Sequence, residues 1–208
     1  MNDPFVLHAD ETWIVVDKPA GLPAVPGRTA GLQDCASARV QAIYRDALVV
    51  HRLDMATSGL LLFARGAGVQ RALGGAFERR QVVKCYIAVV QGQPQADEGT
   101  VDLPLSADWP RRPRQRVDSA GGKPALTHWR VIERESRGAR IELTPVTGRT
   151  HQLRVHLAAI GHPILGDTLY APPEAQAMAP RLLLHASVLE LAHVLTGRPT
   201  RFESVPPF

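Results

Sequence analysis

The chain has 208 residues, 45% of them apolar and 21% charged, with a formal net charge of +4, which is enough for a buried core and excludes a disordered or fibrous protein. Its two cysteines, Cys35 and Cys85, lie far apart and no Cys/His cluster has zinc spacing, so both read as reduced thiols of a cytoplasmic protein with no metal site. The opening stretch MNDPFVLHAD lacks the basic start and apolar run of a signal peptide, and no apolar run approaches the length of a membrane span.

In chain order, ETWIVVD (residues 11–17) reads as a strand stopped by the Pro/Gly-rich KPAGLPAVPG. In LQDCASARVQAIYRDA, Leu32, Ala36, Val40, Ile43 and Ala47 recur at helical spacing, with Asp34 as the expected N-cap. A strand over residues 59–65 follows. The next element is a helix with Val69, Leu73 and Phe77 on one face, weakened by Gly74 and Gly75. The β-branched run VVKCYIAVV (82–90) predicts a strand on which Cys85 and Tyr86 point to opposite faces.

The segment from Trp109 to Lys123 carries Arg111, Arg112, Arg114, Arg116 and Lys123 against Asp118, enough to account for the whole net charge. Its prolines and glycines predict a mobile loop, suited either to solvent or to a polyanion. Aromatics make up only 5% of the chain, which favours binding by shape and charge over long stacking platforms. Residues 126–134 and 139–146 predict a hairpin around ESRG. TGRTHQLRVHLAAIG turns from loop to helix, with Thr150 as cap, Leu153, Leu157 and Ile160 on one face and Gly161 as the stop. RLLLHASVLELAHV and the tail RFESVPPF predict two final strands. Strands joined by short turns indicate an α+β fold with a mixed, mostly antiparallel sheet and flanking helices.

HRLDMATSGLLLFA (51–64) sets a lone carboxylate, Asp54, before a strand of buried character. An aspartate there can simply cap a turn. Small residues after it let another molecule approach, and no second acid suits a hydrolytic pair. Arg149 and Arg154 offer guanidiniums that would hold a carboxylate ionised, which suits a nucleophile or base acting on a sugar. His151 and His156 are five residues apart and do not share a helical face as a metal pair would, so they, like His51 and His185, read as core or hydrogen-bonding residues.

The same stretch resembles the catalytic signature of the RluA family of pseudouridine synthases. VVDKPAGLP, KCYIAVVQG, GRTHQLRVHLAAIGHPILGDTLY and LLLHA resemble further family segments, in the family's order and across nearly the whole chain. The resemblance implies a single catalytic domain over residues 1–208 with a central cleft. VDLPLSADWPRRPRQRV, GKPALT and APRLLLHA resemble most the subgroup without an S4-type RNA-binding domain, which modifies a uridine in a 23S rRNA hairpin and one in the tRNA anticodon loop. No S4 domain is therefore expected.

The implied reaction is isomerisation of uridine to pseudouridine, with no cofactor. The resemblance makes Asp54 the catalytic carboxylate, either adding to C1′ or removing a C2′ proton. It makes Tyr86 the residue stacked on uracil and Arg149 the partner of Asp54. Arg52 would enter the space left by a flipped base. Arg111, Arg112, Arg114, Arg116, Lys123 and Arg154 would contact RNA. A monomer with no obligate protein partner and no membrane association is expected. A non-catalytic RNA-binding module and an N-glycoside hydrolase are the competing readings. The first has no need of Asp54, Tyr86 and Arg149 together, and the second lacks a clear water-activating group.

Overall fold

The structure, a computed structural model, describes residues 5–27, 29–136 and 138–208. Arg137, in the predicted ESRG turn, and the first four residues of the opening stretch lie outside that set. The chain folds as two compact units. One runs from the N-terminus to Lys84 and takes back His185–Pro207, and the other is Cys85–Leu184 with Phe208.

In the first unit, β4 (Ser58–Arg65) is the central strand. It pairs antiparallel with β2 (Trp13–Lys18) and β3 (Ala47–Val49), and parallel with β11 (Leu184–Ala192) through His185↔Ser58 and Ala186↔Gly59. Both faces of β4 are buried as well, so SGLLLFAR reads as a continuous apolar run instead of an alternation. β1 (Val6–Ala9) extends the sheet beyond β2, and β12 (Pro199–Glu203) pairs with β11. Trp13, Val15, Leu60, Leu62, Leu73, Val82, Leu189 and Leu191 pack into one core with Val69 and Phe77 of α2 (Gly66–Glu78).

Gly59 is required by the parallel pairing. Its φ is +109°, and a Cβ there would meet the backbone nitrogen of Ala186 at 2.6 Å. No side chain fits a strand crossing at that separation.

α1 (Ala36–Ile43) is shorter than its apolar spacing implied. Its N-cap is Cys35, whose Sγ accepts from the Ala38 N–H at 3.4 Å. Asp34 is instead drawn into a bidentate pair with Arg39, at 2.7 and 2.6 Å.

In the second unit, β5 (Val83–Gln91), β10 (Gly138–Pro145), β9 (Leu126–Glu135) and β6 (Glu98–Asp102) form an antiparallel run in that order. The predicted hairpin is β9–β10. α3 (Gln152–Ala159) and α4 (Pro173–Ala177) belong to this unit. Of the predicted basic loop only Gln115–Val117 is strand: it forms β8, which pairs with β7 (Leu105–Ala107), and residues 109–114 connect the two. The last predicted strand begins earlier than expected, at Pro199, and ends before Pro206 and Pro207, which cannot donate to a ladder. Among the described residues, no helix is long and apolar enough to cross a membrane.

Candidate active site

The Asp54 turn is built from three ties, all inside the first unit. The Thr57 N–H donates to the Asp54 carbonyl at 3.1 Å and closes the turn Asp54–Met55–Ala56–Thr57. The Met55 carbonyl points inward, where it accepts from the Gly21 N–H at 2.8 Å and from Lys18 Nζ at 3.2 Å. Lys18 is 0% exposed, and its ammonium also donates to the carbonyls of Pro19 and Leu22, each at 2.8 Å. A buried ammonium needs such partners, because desolvating it unpaired is costly.

The second tie is His51. Its Nε2 accepts from the Leu62 N–H at 3.0 Å, and its ring stacks on Phe77 at 4.7 Å. Burial, and then the nearby charge of Lys84, push its pKa down to about 3. The imidazole is therefore neutral, as an accepting nitrogen demands.

The third tie follows the turn. Ser58 is hydrogen-bonded to His185 Nδ1 at 2.9 Å, and His185 Nε2 lies 2.9 Å from Ser204 Oγ. Ser204 donates its proton to Asp17 at 2.7 Å, so its oxygen accepts from His185 Nε2–H. Between these ties Asp54 is partly buried, while Arg52 and Met55 on either side are exposed.

Arg149 sits in the second unit, in the loop that enters α3. The loop is held by one buried amide, Gln152. Its Oε1 accepts from Thr147 Oγ1 at 2.7 Å and from the Arg149 N–H at 3.0 Å. Its Nε2 donates to the Leu126 carbonyl and to Thr127 Oγ1, both at 3.0 Å. The expected Thr150 cap is not used. His151 occupies the N-cap position with φ +54°, in the left-handed region. The Arg149 side chain is exposed, and its Nε donates to the Pro124 carbonyl at 3.1 Å.

Arg154 has a different place from the one its sequence position suggested. It is 4% exposed and makes a bidentate pair with Asp167, at 2.8 and 2.7 Å. It is a brace, not a phosphate contact, because it lies on the packed face of α3. Asp167 also accepts from the Leu169 and Tyr170 N–H groups, at 2.9 and 3.2 Å. The Tyr170 hydroxyl is hydrogen-bonded to His151 Nδ1 at 2.6 Å. The chain of contacts thus runs from Arg154 back to the Arg149 loop.

Tyr86, also in the second unit, is partly buried. It is in register with Leu143, which in turn faces Trp129 on β9. Opposed residues share a sheet face, so Tyr86, Leu143 and Trp129 form one row and Cys85 belongs to the other face. Of the basic segment, Arg111 pairs with the nearly buried Asp108 at 2.8 Å and Arg116 lies 3.5 Å from Asp118. Lys123 joins Leu105 in an isolated bridge beside the ribbon. Lys18, Gln152, Asp167 and Tyr170 were not singled out from the sequence. Their family segments were recognised, but a role as clamp depends on which backbone groups face inward.

Comparison with known proteins agrees with the motif order. Residues 12–159 match the family model described as RNA pseudouridylate synthase. The dual-specificity RNA pseudouridine synthase RluA of Escherichia coli K12 is 49% identical over 98% of this chain and 93% of its own length. That of Pasteurella multocida Pm70 is 46% identical over 100% of this chain and 96% of its own. Among solved structures, human RNA pseudouridylate synthase domain containing 1 superposes with a TM-score of 0.82 at 26% identity, covering 98% of this chain and 83% of that one. Human domain containing 4 gives 0.79 at 26% identity, over 97% and 88%.

Proposed function

This chain belongs to the RNA pseudouridylate synthase family, and from that premise we propose that it isomerises one uridine in a tRNA anticodon loop and one in a 23S rRNA hairpin loop. The observation that carries the reading is full-length similarity near one-half identity to relatives named for dual specificity, with the family motifs intact around Asp54.

Pseudouridine formation breaks N1–C1′, turns the uracil and rejoins it through C5, so the base and sugar must be held while no bond joins them. In this proposal Asp54 is the carboxylate that starts cleavage, by attack at C1′ or by removal of a C2′ proton. Its fixed backbone supports the role, since a nucleophile gains most when its approach is set beforehand. Tyr86 stacks on the uracil, and its hydroxyl helps take the C5 proton. Arg149 supplies the positive charge that keeps Asp54 anionic. Arg52, exposed two residues before Asp54, fills the gap left by the flipped base. The protein acts as a monomer without a membrane or a cofactor.

Incubation with RNA carrying C5-tritiated uridine tests the reading. Tritium release without free uracil is expected, and Asp54→Asn should lower it by on the order of 10⁴-fold. Free uracil would indicate a hydrolase, and neither product would indicate a binding module. Arg52→Ala should slow reaction on structured RNA far more than on a short unstructured oligomer. Equal losses on both would remove Arg52 from base flipping.

A further inference from the structure

The tip of the β7–β8 ribbon carries an indole that the reaction above does not use. Trp109 is 68% exposed, and among the described phenylalanines, tyrosines and tryptophans it is the one that is open to solvent rather than partly covered. A tryptophan so exposed is unfavourable unless something covers it. The Arg112 guanidinium lies 3.4 Å from the ring centroid and covers one face. The other face is open.

The tip is rigidly built. The Asp108 N–H donates to the Arg114 carbonyl at 2.9 Å, and the Arg111 and Arg114 N–H groups donate to Asp108 and Arg111 carbonyls at 3.0 Å each. The nearly buried Asp108 carboxylate takes up Arg111 at 2.8 Å. That neutralises one cation of the segment and anchors the base of the turn. The Gln115 N–H donates to the Tyr170 hydroxyl at 2.7 Å, and Tyr170 reaches His151. The ribbon is therefore tied to the loop that carries Arg149.

A flat aromatic face backed by a guanidinium, with Arg114, Arg116 and Lys123 in the same segment, matches the recognition of an unpaired nucleobase on a charged backbone. Bases inside a helix have both faces stacked already, so only a loop or bulge base can reach it. We infer that the open face of Trp109 stacks a second, unmodified base of the substrate loop, with Arg112 holding the indole from behind and Arg114 at the adjoining phosphate. This rests on the proposed action on loop uridines in RNA.

The test is direct binding of a tRNA anticodon stem–loop over a series of salt concentrations. Trp109→Ala should weaken Kd about tenfold and leave the salt dependence unchanged, because stacking releases no counterions. Trp109→Phe should restore most of the affinity. Arg114→Ala should instead flatten the slope of log Kd against log salt by about one. Emission from Trp109, taken as wild type minus Trp109→Ala, should be quenched when RNA is added. Unchanged binding by Trp109→Ala, a loss that vanishes at high salt, or no rescue by phenylalanine would each overturn the inference. Tritium release by the wild-type protein is scored separately. Its absence counts against the isomerase reading, while Kd and quenching still decide the role of Trp109.

Discussion

The Asp54 turn and the Arg149 loop solve the same problem with opposite chemistry. Each presents a charged side chain, and each has a buried polar residue of its own unit that gathers its backbone groups. The clamp of the Asp54 turn is an ammonium, Lys18, which gathers three carbonyls. The clamp of the Arg149 loop is a neutral amide, Gln152, which takes donors on one side and acceptors on the other. The inward-facing backbone groups decide which is needed, since an ammonium can only donate. Electrostatics points the same way. Lys18 adds positive charge at the carbonyl one residue after Asp54, whereas Gln152 adds none to the loop that carries Arg149.

The largest expected effect falls on the Arg149 side. Arg154→Ala leaves Asp167 buried without its cation and should cost about 3–5 kcal/mol in denaturant unfolding. If the cost stays below about 1 kcal/mol, the pair is not a brace and the loop is held by Gln152 alone. Lys18→Met keeps the apolar stem but strips three carbonyls of a donor, for about 3 kcal/mol. Its loss of tritium release should exceed that of Gln152→Leu, because Lys18 brings charge to the Asp54 turn whereas Gln152 brings none to the Arg149 loop. Equal losses of activity would mean that the clamps differ in bonding alone. Gln152→Leu itself should cost about 2 kcal/mol.

Per pH unit the smallest effect is acid sensitivity, and both sides carry it, since burial also pushes the pKa of His156 on α3 below its ordinary value. His51 is held neutral, with its folded pKa depressed to about 3 from an ordinary 6.5. Protonation therefore favours the unfolded chain. The stability that His51 contributes is complete above pH 6.5 and falls as pH drops toward 3, by up to about 1.4 kcal/mol per pH unit. Unfolding measured between pH 7 and 5 should show this slope, and His51→Gln should flatten it. A slope identical in the variant would move the acid sensitivity elsewhere.

Much of this was legible in the chain. Asp54 stood out as a lone acid before an apolar run, and the β9–β10 hairpin and α2 followed from period and turn chemistry. Arg149 and Arg154 show where that legibility ends. They are five residues apart with identical side chains, yet one is exposed and the other is 4% exposed against Asp167. Composition alone cannot separate a braced arginine from a presented one when the helix that holds Arg154 is buried almost all round. The basic segment was legible only in part. Its prolines and glycines indicated a loop, which most of it is, but Gln115–Val117 pairs with Leu105–Ala107 in a short ribbon that the pattern did not show. The short strands β1, β3 and β6 and the five-residue α4 carry too few residues for a period to register.

The parallel contact of Gly59 with Ala186 also bears on synthesis. The first residues of the strand that leads out of the Asp54 turn, Ser58 and Gly59, gain their partners on that edge only when His185 and Ala186 have emerged. Until then β3 covers only the far end of that edge, at Phe63–Arg65, and the stretch beside the Asp54 turn stays open to stray association. Competence to act on RNA would thus wait for the strand that carries His185 rather than build up gradually during translation.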